Sequence, residues 1–326
     1  MSNLETSAQV LTCEDGSHED SNAVEILTPR EVPLGGLRAM RVRRTLPQRQ
    51  RSLIGAWCFA DHYGPDDVRE SGGMSVAPHP HTGLQTVSWL FAGEIEHRDS
   101  IGSHAMVVPG QLNLMTAGSG IAHSEVSTTN TTVLHGMQLW LALPARSRNT
   151  APAFEHYEPT PVTVSGARIS VFLGTLTGSS SPVNTFSPLL GAEIVLEPGA
   201  RITLDVDERF EHGAIVDTGR VEMCGTALAR AELGYVAPGR QSLDLRNPGS
   251  EPARLLLLGG EPLGEQILMW WNFVGRSDAE IREYREQWQS EVGGNTDDPQ
   301  FGTVVGYVGG WIPAPELPTT ALKPRG

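Results

Sequence analysis

Pro78-His79-Pro80-His81-Thr82-Gly83-Leu84-Gln85-Thr86, answered further on by Met115-Thr116-Ala117-Gly118-Ser119-Gly120-Ile121-Ala122-His123-Ser124-Glu125, decides how this sequence is read. In each stretch two metal-ligating residue types stand at i and i+2. On an extended chain such residues face the same side. His79 and His81 can therefore point together into a β-barrel, and His123 and Glu125 repeat the device. Three neutral imidazoles and one carboxylate suit Fe(II), Mn(II), Co(II), Ni(II), Cu(II) or Zn(II), and positions stay open for water, dioxygen or a chelating substrate. A lone His-x-His is weak evidence; a second pair, set off by strands and the Pro109-Gly110 turn, makes the pattern specific.

Around these stretches lie short apolar runs that stop at turn residues. Thr86–Phe91 ends at Ala92-Gly93, Ala105–Val108 at Pro109-Gly110, and Thr132–Leu141 is a long apolar strand. The second half repeats the style in Ala192–Leu196, Arg201–Asp205, Gly234–Gly239 and Ala253–Leu258. With 36 Gly and 23 Pro scattered through 326 residues, this reads as a mainly β chain of two related antiparallel barrels. The division expected is an acidic, disordered tail over 1–22, a metal-binding barrel over 23–150, and a metal-free barrel over 165–275. A helix and an extended tail follow over 276–326. The helix starts at the capping box Ser277-Asp-Ala-Glu280 and carries Ile281, Tyr284 and Trp288 at helical spacing.

The net charge of -14 argues against direct nucleic-acid binding, which needs cations to displace counterions. One basic run, Arg38–Arg44 with Arg49 and Arg51, reads first as an alternating strand, since Met40 and Val42 interleave Arg41 and Arg43. Cys13, Cys58 and Cys224 are too few and too scattered for a disulfide framework, which points to a reducing, cytoplasmic setting. No segment reaches the roughly 18 apolar residues of a membrane span. Among the other histidines, His97 and His104 read as solvated turn residues and His135 as a core or pocket residue. His18, His62, His156 and His212 show no ligand-type partner nearby.

The residues quoted, with Ile54–Pro65 upstream, Gly93-Glu94, His97-Arg98-Asp99-Ser100, Gly260–Gly264, Met269–Val274 and the closing Ile312–Pro318, resemble the pirin family of the cupin superfamily over roughly residues 25–320. The resemblance implies a bicupin of two barrels packed face to face, with one divalent metal ion, Fe(II) as first expectation, held by His79, His81, His123 and Glu125. Some members of the family open the flavonol quercetin with dioxygen, and others act as iron-dependent partners of transcription factors. The leading expectation is thus a quercetin 2,3-dioxygenase-like enzyme, with a flavonol-like chelating phenol and O2 as partners. Such a substrate would chelate the ion, which lowers its hydroxyl pKa, and Glu125 would take the proton as catalytic base. The alternative is a redox-dependent protein-binding regulator without turnover. Trp89, Met115 and Met137 are candidates for the pocket wall or for plain core.

Gln85, where many cupins carry Glu, is read as a neutral amide able to orient a ligand. Laying Gly93 on Gly219 places Asp205 and Asp207 at the positions of His79 and His81. Laying Pro109-Gly110 on Pro238-Gly239 places Pro252 and Arg254 at those of His123 and Glu125. A proline offers no side-chain ligand and an arginine would repel a cation, so the second barrel is expected to be metal-free and structural, and the chain a monomer.

Overall fold

The computed structural model describes residues 23–33 and 41–324; the acidic segment 1–22 and the Arg38–Met40 end of the basic run lie outside the described residues. The chain is mainly β, in two cupin halves that repeat one another. In the first, a seven-stranded sheet runs through Ala153–Tyr157, Leu112–Thr116, Leu84–Ala92, Val133–Ala142, Trp57–Asp67, Arg41–Leu46 and Arg30–Pro33. A four-stranded sheet of Ser75–His81, Ile121–Ser127, Ile95–Asp99 and His104–Val107 covers it. The second half has the same two sheets. Its seven strands are Glu25–Leu27, Leu233–Val236, Glu211–Thr218, Ala253–Gly260, Leu189–Leu196, Ala167–Leu173 and Val162–Val164. Its four are Arg201–Asp205, Ser242–Arg246, Val221–Met223 and Thr226–Leu228. Each half is a two-sheet cupin sandwich rather than one closed barrel. Strand order matches place for place. The Glu25–Leu27 strand sits at the edge of the second half's sheet that Ala153–Tyr157 occupies in the first.

This match keeps one sequence anchor and corrects the other. Gly93 and Gly219 both follow the third strand of their sheets, with φ of 90° and 78°. Pro109-Gly110 precedes Leu112–Thr116, however, whereas Pro238-Gly239 follows the counterpart strand Leu233–Val236. A Pro-Gly pair marks a turn without marking register. The counterpart of Ile121–Ser127 is therefore Ser242–Arg246, where Ser242 stands opposite Asp205 as His123 stands opposite His79. Pro252 and Arg254 belong at the Ala253–Gly260 strand instead, the counterpart of Val133–Ala142.

The halves meet along their large sheets. Leu255 and Leu257 pack inside the second sandwich, while Leu256 and Leu258 turn outward to join Trp57, Trp89, Met137 and Leu139 of the first. Both faces of this strand are covered, which is why its sequence is apolar without alternation. Arg201–Asp205, with one wet face, alternates cleanly. Each leucine so buried stabilises the pair of domains by about 1.5–3 kcal/mol. Polar ends are met across the seam: the Trp57 indole donates to Leu190 O (3.2 Å) and Gly259 O (3.1 Å), and that of Trp89 to Glu193 Oε2 (2.8 Å).

After the second sandwich the chain returns to the first. The Asp278–Val292 helix is capped by Ser277, whose Oγ accepts from Glu280 N at 3.3 Å, and it buries Ile281 and Trp288. Residues beyond it run without regular structure over the first half's small sheet. Phe301 O accepts from Ala122 N (3.1 Å) and Ile312 N donates to Pro78 O (2.9 Å), so the tail braces both strands that carry the quoted motifs. Among the described residues, no helix is long and apolar enough to cross a membrane.

Candidate metal centre

Ser75–His81 and Ile121–Ser127 pair antiparallel, with Ile121 opposite His81 and His123 opposite His79. Alternation then aims all three imidazoles at the large sheet. A register shift between His123 and Glu125 brings Glu125 opposite Val76, a bulge of the kind that re-aims a side chain beside a site. The imidazole ring centroids lie 4.3 Å apart for His79 and His123, and 5.0 Å for His81 with either neighbour. His81 Nε2 and His123 Nε2 are 3.1 Å apart. Ligand atoms of His79, His81 and His123 fall within 4.8 Å of one another, and so do those of His97, His123 and Glu125. The two groups share His123, and all these residues are buried.

Burial pushes the imidazoles toward the neutral, ligating form: His79 is lowered to about 4, and His81 and His123 lie well below the ordinary histidine range. Backbone carbonyls fix the tautomers. His79 Nδ1 donates to Ala77 O (2.8 Å) and His81 Nδ1 to Asn272 O (3.1 Å), which leaves the Nε2 lone pairs facing inward. The second contact depends on Gly83. Its φ is +67°, and a Cβ there would stand 2.1 Å from Val274 O, so only glycine lets the Asn272–Val274 turn come so close.

His123 is oriented by a residue that sequence reasoning placed in solvent. His97 is 3% exposed, with Nδ1 3.4 Å from His123 Nδ1 and Nε2 3.2 Å from Asp99 Oδ2. Because a carboxylate can only accept, His97 carries its proton on Nε2 and takes one from His123 on Nδ1. Burial would raise the Asp99 carboxyl, but hydrogen bonds from His97 and Ser103 outweigh it and hold it low. The signal was there in His97-x-Asp99, an i, i+2 pair on a strand with alternating burial.

The large sheet supplies the opposite wall. Ser88 Oγ lies 3.3 Å from Glu125 Oε1 and 3.0 Å from Gln138 Oε1. Phe59 and Trp140 stack with centroids 4.1 Å apart, and Trp140 stands edge-on to His81 at 5.2 Å. Gln85, three residues from Ser88 on an unbroken strand, lies on the other face and donates to Thr116 Oγ1 (2.9 Å), so it does not orient a ligand here. Met115 shares the inner face with Thr86 and Ser88. Trp89 and Met137 are turned to the seam between the halves, so they are core rather than pocket wall.

The remaining histidines divide. His135 is a satisfied buried residue; His62, expected to lack a ligand-type partner, meets both His135 and Asp217. His104 is exposed beside Glu96, His156 Nδ1 lies 2.6 Å from Asn113 Oδ1, His212 is buried, and His18 lies outside the described residues. Four of the described arginines of the basic run have partners. Arg41 pairs with Glu31, Arg43 donates to Gly64 O, Arg44 pairs with Asp61, and Arg51 pairs with Glu25.

Residues 38–141 match the pirin family, and residues 191–293 match its C-terminal cupin domain. A Pseudomonas aeruginosa protein named "Putative quercetin 2,3-dioxygenase PA1205" is 41% identical over 98% of both chains. The chain belongs to the pirin family. A Caulobacter vibrioides pirin-like protein is 37% identical to this pirin over 76% of its chain and 88% of the relative's. The crystal structure of quercetin 2,3-dioxygenase from Acinetobacter baumannii superposes with a TM-score of 0.85 at 37% identity, over 92% of this pirin and 98% of that chain.

Proposed function

We propose that this pirin is a metal-dependent dioxygenase that opens a chelating, enolisable phenol of the flavonol class with O2. The observation that carries the reading is that the ligand atoms of His79, His81 and His123 lie within 4.8 Å of one another, with Glu125 grouped beside His123 in the same buried interior and burial favouring neutral imidazoles. The donor set fits a metal on a further ground: His79 Nε2 is buried with no hydrogen-bond partner while its Nδ1 is taken by a carbonyl. A buried lone pair of this kind calls for a cation or a donor. His79, His81, His123 and Glu125 would hold one divalent ion, Fe(II) first. Such an ion supplies Lewis acidity toward a hydroxyl–carbonyl pair and redox chemistry with dioxygen.

The protein's own groups have distinct roles. Glu125 accepts the substrate hydroxyl proton, and Ser88 steadies its carboxylate through Oε1. Phe59 and Trp140 give a flat aromatic face beside His81 for a planar ring system. Burial and the nearby Glu125 charge raise the Tyr63 phenol well above its usual range, so it stays protonated and offers an O–H donor toward the same interior. Relatives and a structural neighbour named as quercetin 2,3-dioxygenases support the reaction class. The test is quercetin loss with O2 uptake and carbon monoxide release by Fe(II)-reconstituted protein. Turnover that disappears in Glu125→Gln with metal retained supports the reading; metal-loaded wild-type protein without turnover contradicts it.

A further inference from the structure

A second group of metal-ligating side chains lies outside the site just described, on the seam between the two cupin halves. His62 comes from the Trp57–Asp67 strand and His135 from Val133–Ala142, both in the first half. Asp217 comes from Glu211–Thr218 in the second. His62 Nε2 is 2.8 Å from Asp217 Oδ1, His135 Nε2 is 2.6 Å from the same oxygen, and the two Nε2 atoms are 3.3 Å apart. All three side chains are buried.

We propose that His62, His135 and Asp217 form a second divalent-metal site, a two-histidine, one-carboxylate centre that staples the two halves together. The edges of this triangle set its coordination. Bonds of about 2.0–2.2 Å at right angles separate neighbouring donors by about 3 Å, which is the facial arrangement of two imidazoles and a carboxylate on an octahedral ion. The surroundings orient the donors as an outer shell does. Arg254 Nε holds the other carboxylate oxygen, Oδ2, at 2.6 Å and leaves Oδ1 to the histidines. The Arg254 guanidinium lies 4.1 Å above the Phe91 ring, which makes T-shaped contacts with His135 and His62 at centroid distances of 5.0 and 6.4 Å.

Without an ion, His62 Nε2 and His135 Nε2 donate to Asp217 Oδ1; an ion takes the place of those two protons, and each imidazole then carries its proton on Nδ1. Charge sets a limit on affinity. Besides Arg254, Arg43 and Arg230 both donate to Gly64 O nearby, and three guanidinium groups oppose a dication. The second centre therefore binds more weakly than the first, and the ion it takes is a nitrogen-preferring one such as Zn(II) or Co(II) rather than Ca(II) or Mg(II). Its role is to lock the domain interface, since the ligands come from both halves and the site is enclosed.

The experiment uses the full-length chain and Co(II) as probe. In the double variant His81→Ala/His123→Ala, which dismantles the first centre, one equivalent of Co(II) is expected to bind and to give d–d absorption bands. Adding Asp217→Asn, close to isosteric and still a hydrogen-bond acceptor, is expected to abolish that equivalent with the far-UV circular dichroism unchanged. In the otherwise native chain the same substitution lowers Co(II) stoichiometry from two to one, a readout that stands even if the double variant fails to fold. A single equivalent in native protein, unchanged by Asp217→Asn, would show that the three residues are a hydrogen-bonded clamp only and overturn the proposal. A second equivalent that persists in Asp217→Asn would overturn it too, because the ion would then lie elsewhere.

Discussion

Replacing His97 with Phe isolates the contribution of a side chain that touches no proposed substrate. His97 stacks on Phe154 with ring centroids 4.7 Å apart, and a phenyl ring keeps that contact and nearly the same volume. What it removes is the acceptor 3.4 Å from His123 Nδ1 and the donor 3.2 Å from Asp99 Oδ2. Asp99 keeps its other oxygen bound to the Ile101 and Ser103 amides, so the loop it holds stays in place. His123, left without a partner on Nδ1, is no longer fixed in one tautomer and one ring orientation. Loss of such an outer-shell contact weakens metal binding by about 10–100-fold, or about 1.4–2.8 kcal/mol. A competition titration of Zn(II) against a coloured chelator measures this directly, with His104→Phe on the neighbouring exposed strand as control. Affinity within about twofold of wild type, or equal weakening in both variants, would refute the assigned role of His97.

Three further outcomes follow from the geometry. Asp61→Ala takes from the Arg44 guanidinium, which is 2% exposed, the carboxylate that binds it in bidentate fashion at 2.7 and 2.8 Å. It should cost about 3–5 kcal/mol in urea unfolding, and a loss under about 1 kcal/mol would contradict the buried pair. His212 is buried and lowered to about 4 by that burial, so on acidification from about pH 6.5 to 4 the unfolded chain takes up a proton that the folded imidazole refuses. Stability therefore falls with pH through that window, and His212→Gln should lose about 3 kcal/mol less than wild type between pH 7 and 4; equal acid losses would contradict this. Gln85→Ala should leave Zn(II) affinity within about twofold of wild type, since its amide faces away from the ligands; a larger drop would return Gln85 to the site.

The features legible in the sequence are local ones. His79-x-His81 and His123-x-Glu125 each lie on a single strand, where two-residue alternation converts spacing into direction, and the capping box at Ser277 is likewise read within one turn. Features built from distant segments were hidden. His62 finds His135 and Asp217 across two other strands and a domain seam, and Asn272 reaches His81 only because Gly83 has no side chain. His97 was readable by the rule that found the ligands, but its charged neighbours made the strand look like a turn. Gln85 failed for the converse reason: counted from His81 it seems near the site, yet a turn and a new strand intervene, and the parity of that strand points it away. The Pro-Gly anchor misled in the second half because turn chemistry repeats more freely than register does.

Anomalous diffraction at the edge of the added metal, from crystals of Fe(II)- or Co(II)-reconstituted protein, locates the ion. The strongest peak is expected among the Nε2 atoms of His79, His81 and His123, within bonding distance of the Glu125 carboxylate. A lattice that holds metal only at other residues, or a peak that does not involve Glu125, would contradict the ligand set and the dioxygenase reading built on it.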